Sequence, residues 1–127
     1  MLYMFRQIFI ALIVLNFSIS ASSAADVAKG KRVFNKCKAC HVATKEKNKI
    51  GPHLVGLFGR KAGAVAGYRY SKAMKNSGII WIENSLNAYL KKPRTMVKGT
   101  RMAFVGLKKD KDRDNLISYL KQVTASK

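Results

Sequence analysis

The sequence predicts an all-α domain with long loops. Apolar residues recur at helical spacing near both ends of the chain, as in Leu116, Ile117, Leu120 and Val123. No stretch alternates apolar and polar residues with the period of two that a half-buried strand needs. Two stretches, 42–69 and 94–104, hold no period for long, and the first carries Gly51, Gly56 and Gly59 close to Pro52. A loop that long in a small domain usually serves a function.

The elements follow in order. Residues 1–24 read as an export signal, separate from the domain at 25–127. Arg6 is a positive n-region, Ile8 to Leu15 is an unbroken apolar run, and Ser22-Ser23-Ala24 fits a small-residue cleavage site. Cleavage is expected after Ala24, give or take one residue. The alternative is a retained anchor, but Asn16 and Ser18 interrupt the run short of the roughly 20 apolar residues a spanning helix needs. Asp26 caps a first helix expected to reach about Lys38, with Val27, Gly30, Phe34 and Cys37 along one side. Ser71 caps a short helix ending near Gly78. Another begins around Trp81 to Glu83 and stops before Pro93, with Leu86, Tyr89 and Leu90 inward. Arg94 to Phe104 is expected to be irregular. The last helix runs from about Asp110 to Val123. One domain of this size is small for a self-sufficient core, so a buried cofactor would supply missing apolar surface.

Such a cofactor has an attachment point in Cys37-Lys38-Ala39-Cys40-His41. C-x-x-C-H is the pattern of covalent haem attachment. Each thiol adds across one vinyl group, two intervening residues bring the sulfurs to one edge of the ring, and His41 falls under the iron. Three other readings compete: a redox dithiol, a zinc site and a plain structural disulfide. A redox dithiol sits in a βαβ setting that is absent here. An all-cysteine zinc site needs four cysteines and the chain has two. A mixed site of two cysteines with His41 and His53 lacks the finger spacing.

Haem iron with one histidine has a sixth position to fill. His53 and the methionines are the candidates. Met1 and Met4 belong to the leader, and Met74 falls in a short helix where a core role is expected. Met96 and Met102 lie after Pro93, and Gly99 beside Met102 would let backbone approach a flat cofactor. These residues alone favour Met102 over Met96 without deciding between them. The charge is the other signal. The net charge is +19, and losing Arg6 with the leader lowers it by a single unit. Asp26, Glu83, Asp110, Asp112 and Asp114 fall in or beside expected first turns, where they offset the helix dipole. Only Glu46 lies elsewhere, so the remaining surface is almost purely cationic.

From Asp26 to Thr124 the chain resembles the class I cytochromes c, in the branch of bacterial cytochrome c2 and mitochondrial cytochrome c. The resemblance rests on Gly30, Phe34, the Cys37–His41 motif, Gly51-Pro52, Gly56-Leu57-Phe58-Gly59-Arg60-Lys61, Trp81, Tyr89-Leu90 and Pro93. It continues through Gly99-Thr100-Arg101-Met102, Gly106-Leu107 and Leu116-Ile117-Ser118-Tyr119-Leu120. It implies the small monohaem fold, with crossing terminal helices, two or three shorter helices and long loops around one covalent haem c. It implies His41 and Met102 as iron ligands, and a Pro52 carbonyl that fixes the His41 ring. It implies Tyr89 and Thr100 near Met102, and Arg60, Tyr70 and Trp81 near the propionates. Gly30 and Phe34 would pack against Leu116 and Tyr119. Three positions depart from common patterns: Lys98 where many members have proline, Met74 where many have asparagine, and Thr95 for a frequent lysine.

The implied role is that of an electron carrier and not an enzyme. An iron with both axial positions filled by protein has no room for substrate, and fixed ligands minimise rearrangement between Fe(II) and Fe(III). The expected partners are a bc1-type reductase and a terminal oxidase or photosynthetic reaction centre, met by a periplasmic monomer. A peroxidase would need an open sixth site. Nucleic acid, the other reading of a pI near 10.4, conflicts with the leader and lacks a binding motif. The remaining alternative is a solvated basic surface without a partner. Docking is favoured over it because Lys36, Lys38, Arg94, Arg101, Lys108 and Lys109 flank the haem motif and the Met102 loop.

Overall fold

The first helix, α1, spans Val27–Phe34. Its cap is Asp26, whose Oδ1 accepts from the Lys29 amide at 3.0 Å. The Asp26 amide in turn donates to Asn115 Oδ1 at 2.8 Å, tying the start of the helix to the far end of the chain. The computed structural model describes residues 24–125, so all of the expected leader but its last residue, Ala24, lies outside the described residues.

The helix stops at Phe34, short of the expected Lys38. Beyond it the chain continues as turns that mix i→i+3 with i→i+4 bonds, Lys38 N still donating to Phe34 O at 3.1 Å. Lys36 N donates to Val33 O at 3.1 Å, Cys37 N to Phe34 O at 2.8 Å, and Cys40 N to Cys37 O at 3.1 Å. These turns place both cysteines off the helix proper.

Four more helices follow among the described residues: α2 (Lys72–Lys75), α3 (Glu83–Lys91), α4 (Pro93–Met96) and α5 (Asp110–Val123). Ser71 caps α2 by accepting from the Met74 amide at 3.0 Å. Helix α3 starts where Ser85 Oγ accepts from the Ile82 amide at 2.9 Å. Helix α4 was not expected from the pattern. Pro93 is its first residue, a position where its missing N–H costs nothing and its fixed φ suits a helix. The irregular stretch therefore begins at Val97 and not at Arg94. In α5, Asp110 and Asp112 lie in the first turn, whereas Asp114 lies one turn further in and gains little from the dipole.

Helices α1 and α5 cross at Gly30. A Cβ there would lie 1.9 Å from the Asn115 carbonyl oxygen and 2.7 Å from Tyr119 Cβ, so only glycine permits the approach. One turn on, the Phe34 and Tyr119 rings meet at 5.5 Å. Leu116, Ile117 and Leu120 on α5 and Leu86, Tyr89 and Leu90 on α3 are buried with Phe34, and Leu57, Trp81, Val97 and Leu107 extend the core into the loops. Each fully buried aliphatic side chain contributes about 1.5–3 kcal/mol. No strand is present among the described residues; an isolated bridge pairs Lys61 with Ile80. Around it Trp81 N donates to Arg60 O at 2.9 Å and Gly59 N to Trp81 O at 2.7 Å, which pins the glycine-rich loop to the base of α3.

Candidate functional site

The loops close around one cavity with mainly apolar walls, built by Leu57, Leu86, Leu90, Leu116 and Leu120. Cys37, Cys40, His41, Arg60, Tyr70, Trp81, Tyr89, Thr100 and Met102 all line it. The turns after α1 deliver the first three. The His41 amide donates to Cys37 O at 2.9 Å, which closes the turn between them.

His41 is held from the side away from its remaining nitrogen. Its Nδ1 donates to the Pro52 carbonyl at 2.7 Å. A carbonyl only accepts, so the proton sits on Nδ1 and Nε2 keeps its lone pair for a metal. Gly51 is bonded to the same turn through its amide, 2.9 Å from Cys40 O. Burial holds the His41 imidazole below its ordinary pKa; the Pro52 bond acts against this, and Arg60 and Lys49 reinforce it. The neutral, ligating form is favoured.

Cys37 and Cys40 are unpaired and half-buried. Burial, helped by Cys40, pushes the Cys37 thiol up to about 11, with Lys36 opposing. A thiol held protonated is a poor nucleophile. A thioether at the same place has no proton to lose and suits an apolar wall.

Met102 belongs to the loop after α4. Its amide donates to Thr100 Oγ1 at 3.3 Å, and its carbonyl accepts from the Phe104 amide at 2.9 Å. Thr100 is bonded to the Tyr89 hydroxyl at 2.8 Å. Tyr89 packs on Trp81 with ring centroids 5.1 Å apart. Burial raises the Tyr89 pKa, offset in part by the Thr100 bond. Met96 is 36% exposed and outside the cavity wall, and Met74 is a buried core residue that also lines it. His53 does not line the cavity. Its amide donates to Asn48 Oδ1 at 3.0 Å, and its buried Nδ1 lacks a hydrogen-bond partner.

Arg60 spends two of its donors on the backbone. Nη1 donates to Val55 O at 2.7 Å and Nη2 to His53 O at 3.1 Å. These bonds fix the guanidinium plane at the cavity wall. The Tyr70 hydroxyl accepts from the Val65 amide at 3.2 Å, which leaves its own proton available to an acceptor. Sequence reasoning passed over Arg69 and Tyr68, which also line the cavity. Their adjacency to Tyr70 was the available signal.

The donor set suits a flat, apolar macrocycle with an iron centre. Two thiols stand with two residues between them, an oriented imidazole nitrogen and a thioether sulfur border the same space, and a Cβ on Gly51 would collide with the imidazole ring. The residues present fit a covalently attached haem.

Comparison with known proteins agrees. A family model for cytochrome c matches residues 27–124. Cytochrome c-550 from Nitrobacter winogradskyi is 54% identical over 98 residues, covering 76% of this chain and 90% of that relative. Cytochrome c2 from Blastochloris viridis is 42% identical over 121 residues, covering 94% and 95%. Among solved structures, cytochrome cH from Methylobacterium extorquens superposes with a TM-score of 0.73 at 43% identity, covering 77% of this chain and 99% of that one.

Proposed function

The chain belongs to the cytochrome c family, and on that premise we propose that it is a monomeric, periplasmic single-electron carrier with His41 and Met102 as iron ligands. Membership brings one covalently bound haem c per chain. The haem supplies one-electron Fe(II)/Fe(III) chemistry when bound; every other part of the work falls to the chain. Cys37 and Cys40 hold the group through thioethers. His41 presents Nε2 because Pro52 occupies Nδ1. Met102 presents a soft sulfur, which favours the reduced state relative to harder donors. Arg60, Tyr70 and Trp81 form the polar end that receives the propionates, and the leucine walls exclude water.

The observation that carries this reading is the convergence of Cys37, Cys40, His41 and Met102 on one cavity with apolar walls. With His41 and Met102 both holding the iron, the chain would leave no open position for a substrate. Electrons would arrive from a bc1-type reductase and leave to a terminal oxidase or a photosynthetic reaction centre, across a basic face. Export through a leader cleaved after Ala24 fits the covalent attachment. No helix among the described residues is long and apolar enough to cross a membrane.

An optical spectrum with pyridine haemochrome analysis and a redox titration tests the reading. A low-spin spectrum with a methionine-to-iron charge-transfer band and a high potential is expected. A high-spin iron that binds peroxide directly would replace the carrier with a haem enzyme.

A further inference from the structure

Arg113 is a long cation on the inner side of α5, yet it is only 2% exposed. A charge that deep persists only where its donors are answered. Nε donates to Asn87 Oδ1 on α3 at 3.1 Å. Nη1 donates to the Leu107 carbonyl at 2.6 Å and to the Lys108 carbonyl at 3.0 Å. Nη2 pairs with Asp110 at the start of α5. One guanidinium therefore joins α3, α5 and residues 107–108.

Residues 107–108 are the downstream end of the loop that carries Met102. The loop returns to the helices here through two further contacts. Gly106, at φ +106, lies against the Lys91 carbonyl, where a Cβ would approach to 2.2 Å. The Leu107 amide donates to Leu90 O at 2.8 Å. The contacts on the Met102 side are fewer: Thr100 bonds Tyr89, and Met102 and Phe104 bond only within the loop.

We propose that Arg113 is a positioning residue for Met102: by clamping the Leu107 and Lys108 carbonyls to α3 and α5 it fixes the downstream end of the loop and keeps the sulfur on the iron. The proposal rests on Met102 being a ligand. The clamp itself does not, and the two are separable. Opening of the loop must precede any exchange of the sulfur for another ligand, so Arg113 sets how often the iron is exposed.

The test uses the holoprotein and compares Arg113→Lys, Asn87→Ala and Ile117→Ala. Lysine keeps the charge but cannot span all four partners. Asn87→Ala removes one arm of the clamp and spares the rest, so it reports even where Arg113→Lys folds poorly. Ile117→Ala destabilises the same helix by cavity formation, with no bond to the loop. Two quantities are read against global unfolding in guanidinium: the rate at which added imidazole displaces the sulfur from ferric iron, and amide exchange at Met102, Phe104 and Leu107. Arg113→Lys is expected to raise both by about tenfold, the effect of losing one hydrogen bond to a charged group. Asn87→Ala moves both in the same direction by less, and Ile117→Ala leaves both near wild type despite its lower global stability. The clamp is overturned if Arg113→Lys and Ile117→Ala speed both processes in proportion to lost global stability, or if Arg113→Lys changes neither. A wild-type protein without a methionine-to-iron band would sink the ligation reading instead, and amide exchange alone would then decide the clamp.

Discussion

Gly51 and His41 are in contact so close that a methyl group cannot stand between them. A Cβ on Gly51 would lie 2.4 Å from His41 Cε1 and 2.8 Å from Nδ1. The constraint is one of space, because Gly51 does not need the left-handed backbone region that several other glycines adopt. Gly51→Ala must therefore tilt the imidazole and stretch its bond to Pro52. We expect a loss of about 1–3 kcal/mol of stability, the usual cost of overpacking a tight site. The hyperfine-shifted His41 ring resonances of the ferric protein should move as well. Unchanged ring resonances in a folded Gly51→Ala protein would mean that the backbone gives way and the ring does not.

Covalent attachment is the second expectation. Both Cys37 and Cys40 line the cavity with no disulfide between them. Acid denaturation should leave the haem on the chain, and the mature protein should carry the haem mass with no titratable thiol. Apoprotein mass, or two free thiols in the purified protein, contradicts it. Cys37→Ala should leave a haem held by one thioether and a less stable protein.

The parts of this architecture visible in the sequence are the local ones. Asp26, Ser71 and the apolar face of α5 announce themselves within a few residues, because caps and helical stripes are short-range signals. The end of α1 was hidden for the opposite reason. Cys37 continues the apolar stripe of Phe34, and nothing in the stripe marks the change from regular helix to turns. Helix α4 has four residues, too few to show a period, and only Pro93 signalled it. In the site, Cys37–His41 is contiguous and legible, and the pairing of Tyr89 with Thr100, eleven residues apart, is a long-range fact that only the family pattern suggested. Arg113 was one of 25 basic residues, and no sequence feature marks which of them is buried.

Met102 and Met96 can be told apart directly. Met102→Ala should open the iron, abolish the methionine-to-iron charge-transfer band, lower the potential and give peroxidase-like activity. Met96 is partly exposed and outside the cavity wall, so Met96→Ala should leave the band in place. Loss of the band on Met96→Ala would reverse the assignment.

Asp26 supplies the expected pH dependence. Its carboxylate accepts from the Lys29 amide, and this bond holds its pKa below the ordinary 3.8. The folded state therefore binds the proton less readily than the unfolded chain. The stabilisation is complete above about pH 4 and is lost as pH falls through the lowered folded value. Asp26→Asn keeps a capping oxygen but has no proton to bind, so it should flatten the acid limb of the stability curve and change little at neutral pH. Asp26→Ala should lower stability at neutral pH as well. Equal acid sensitivity in Asp26→Asn and wild type would assign that limb to other carboxylates.

The last expectation concerns the cationic surface. Lys36 and Arg101 are exposed and line the cavity, so both stand where the haem edge would meet solvent. Arg94, Lys108 and Lys109 are exposed in the segments flanking the Met102 loop. Electron transfer needs a brief, oriented encounter, and a large apolar interface would slow release. Clustered charge speeds association and turns the haem edge toward an acidic partner, with an effect that salt screens over roughly 8–10 Å. Lys121 differs: it pairs with Glu83 away from the cavity wall, and Lys127 lies beyond the described residues. Neutralising Lys36 and Lys108 should slow reaction with a membrane oxidase at low ionic strength and flatten its salt dependence, while the potential barely moves. Neutralising Lys121 and Lys127 should matter less. If both pairs slow the reaction equally, net charge governs the encounter and a localised docking face is wrong.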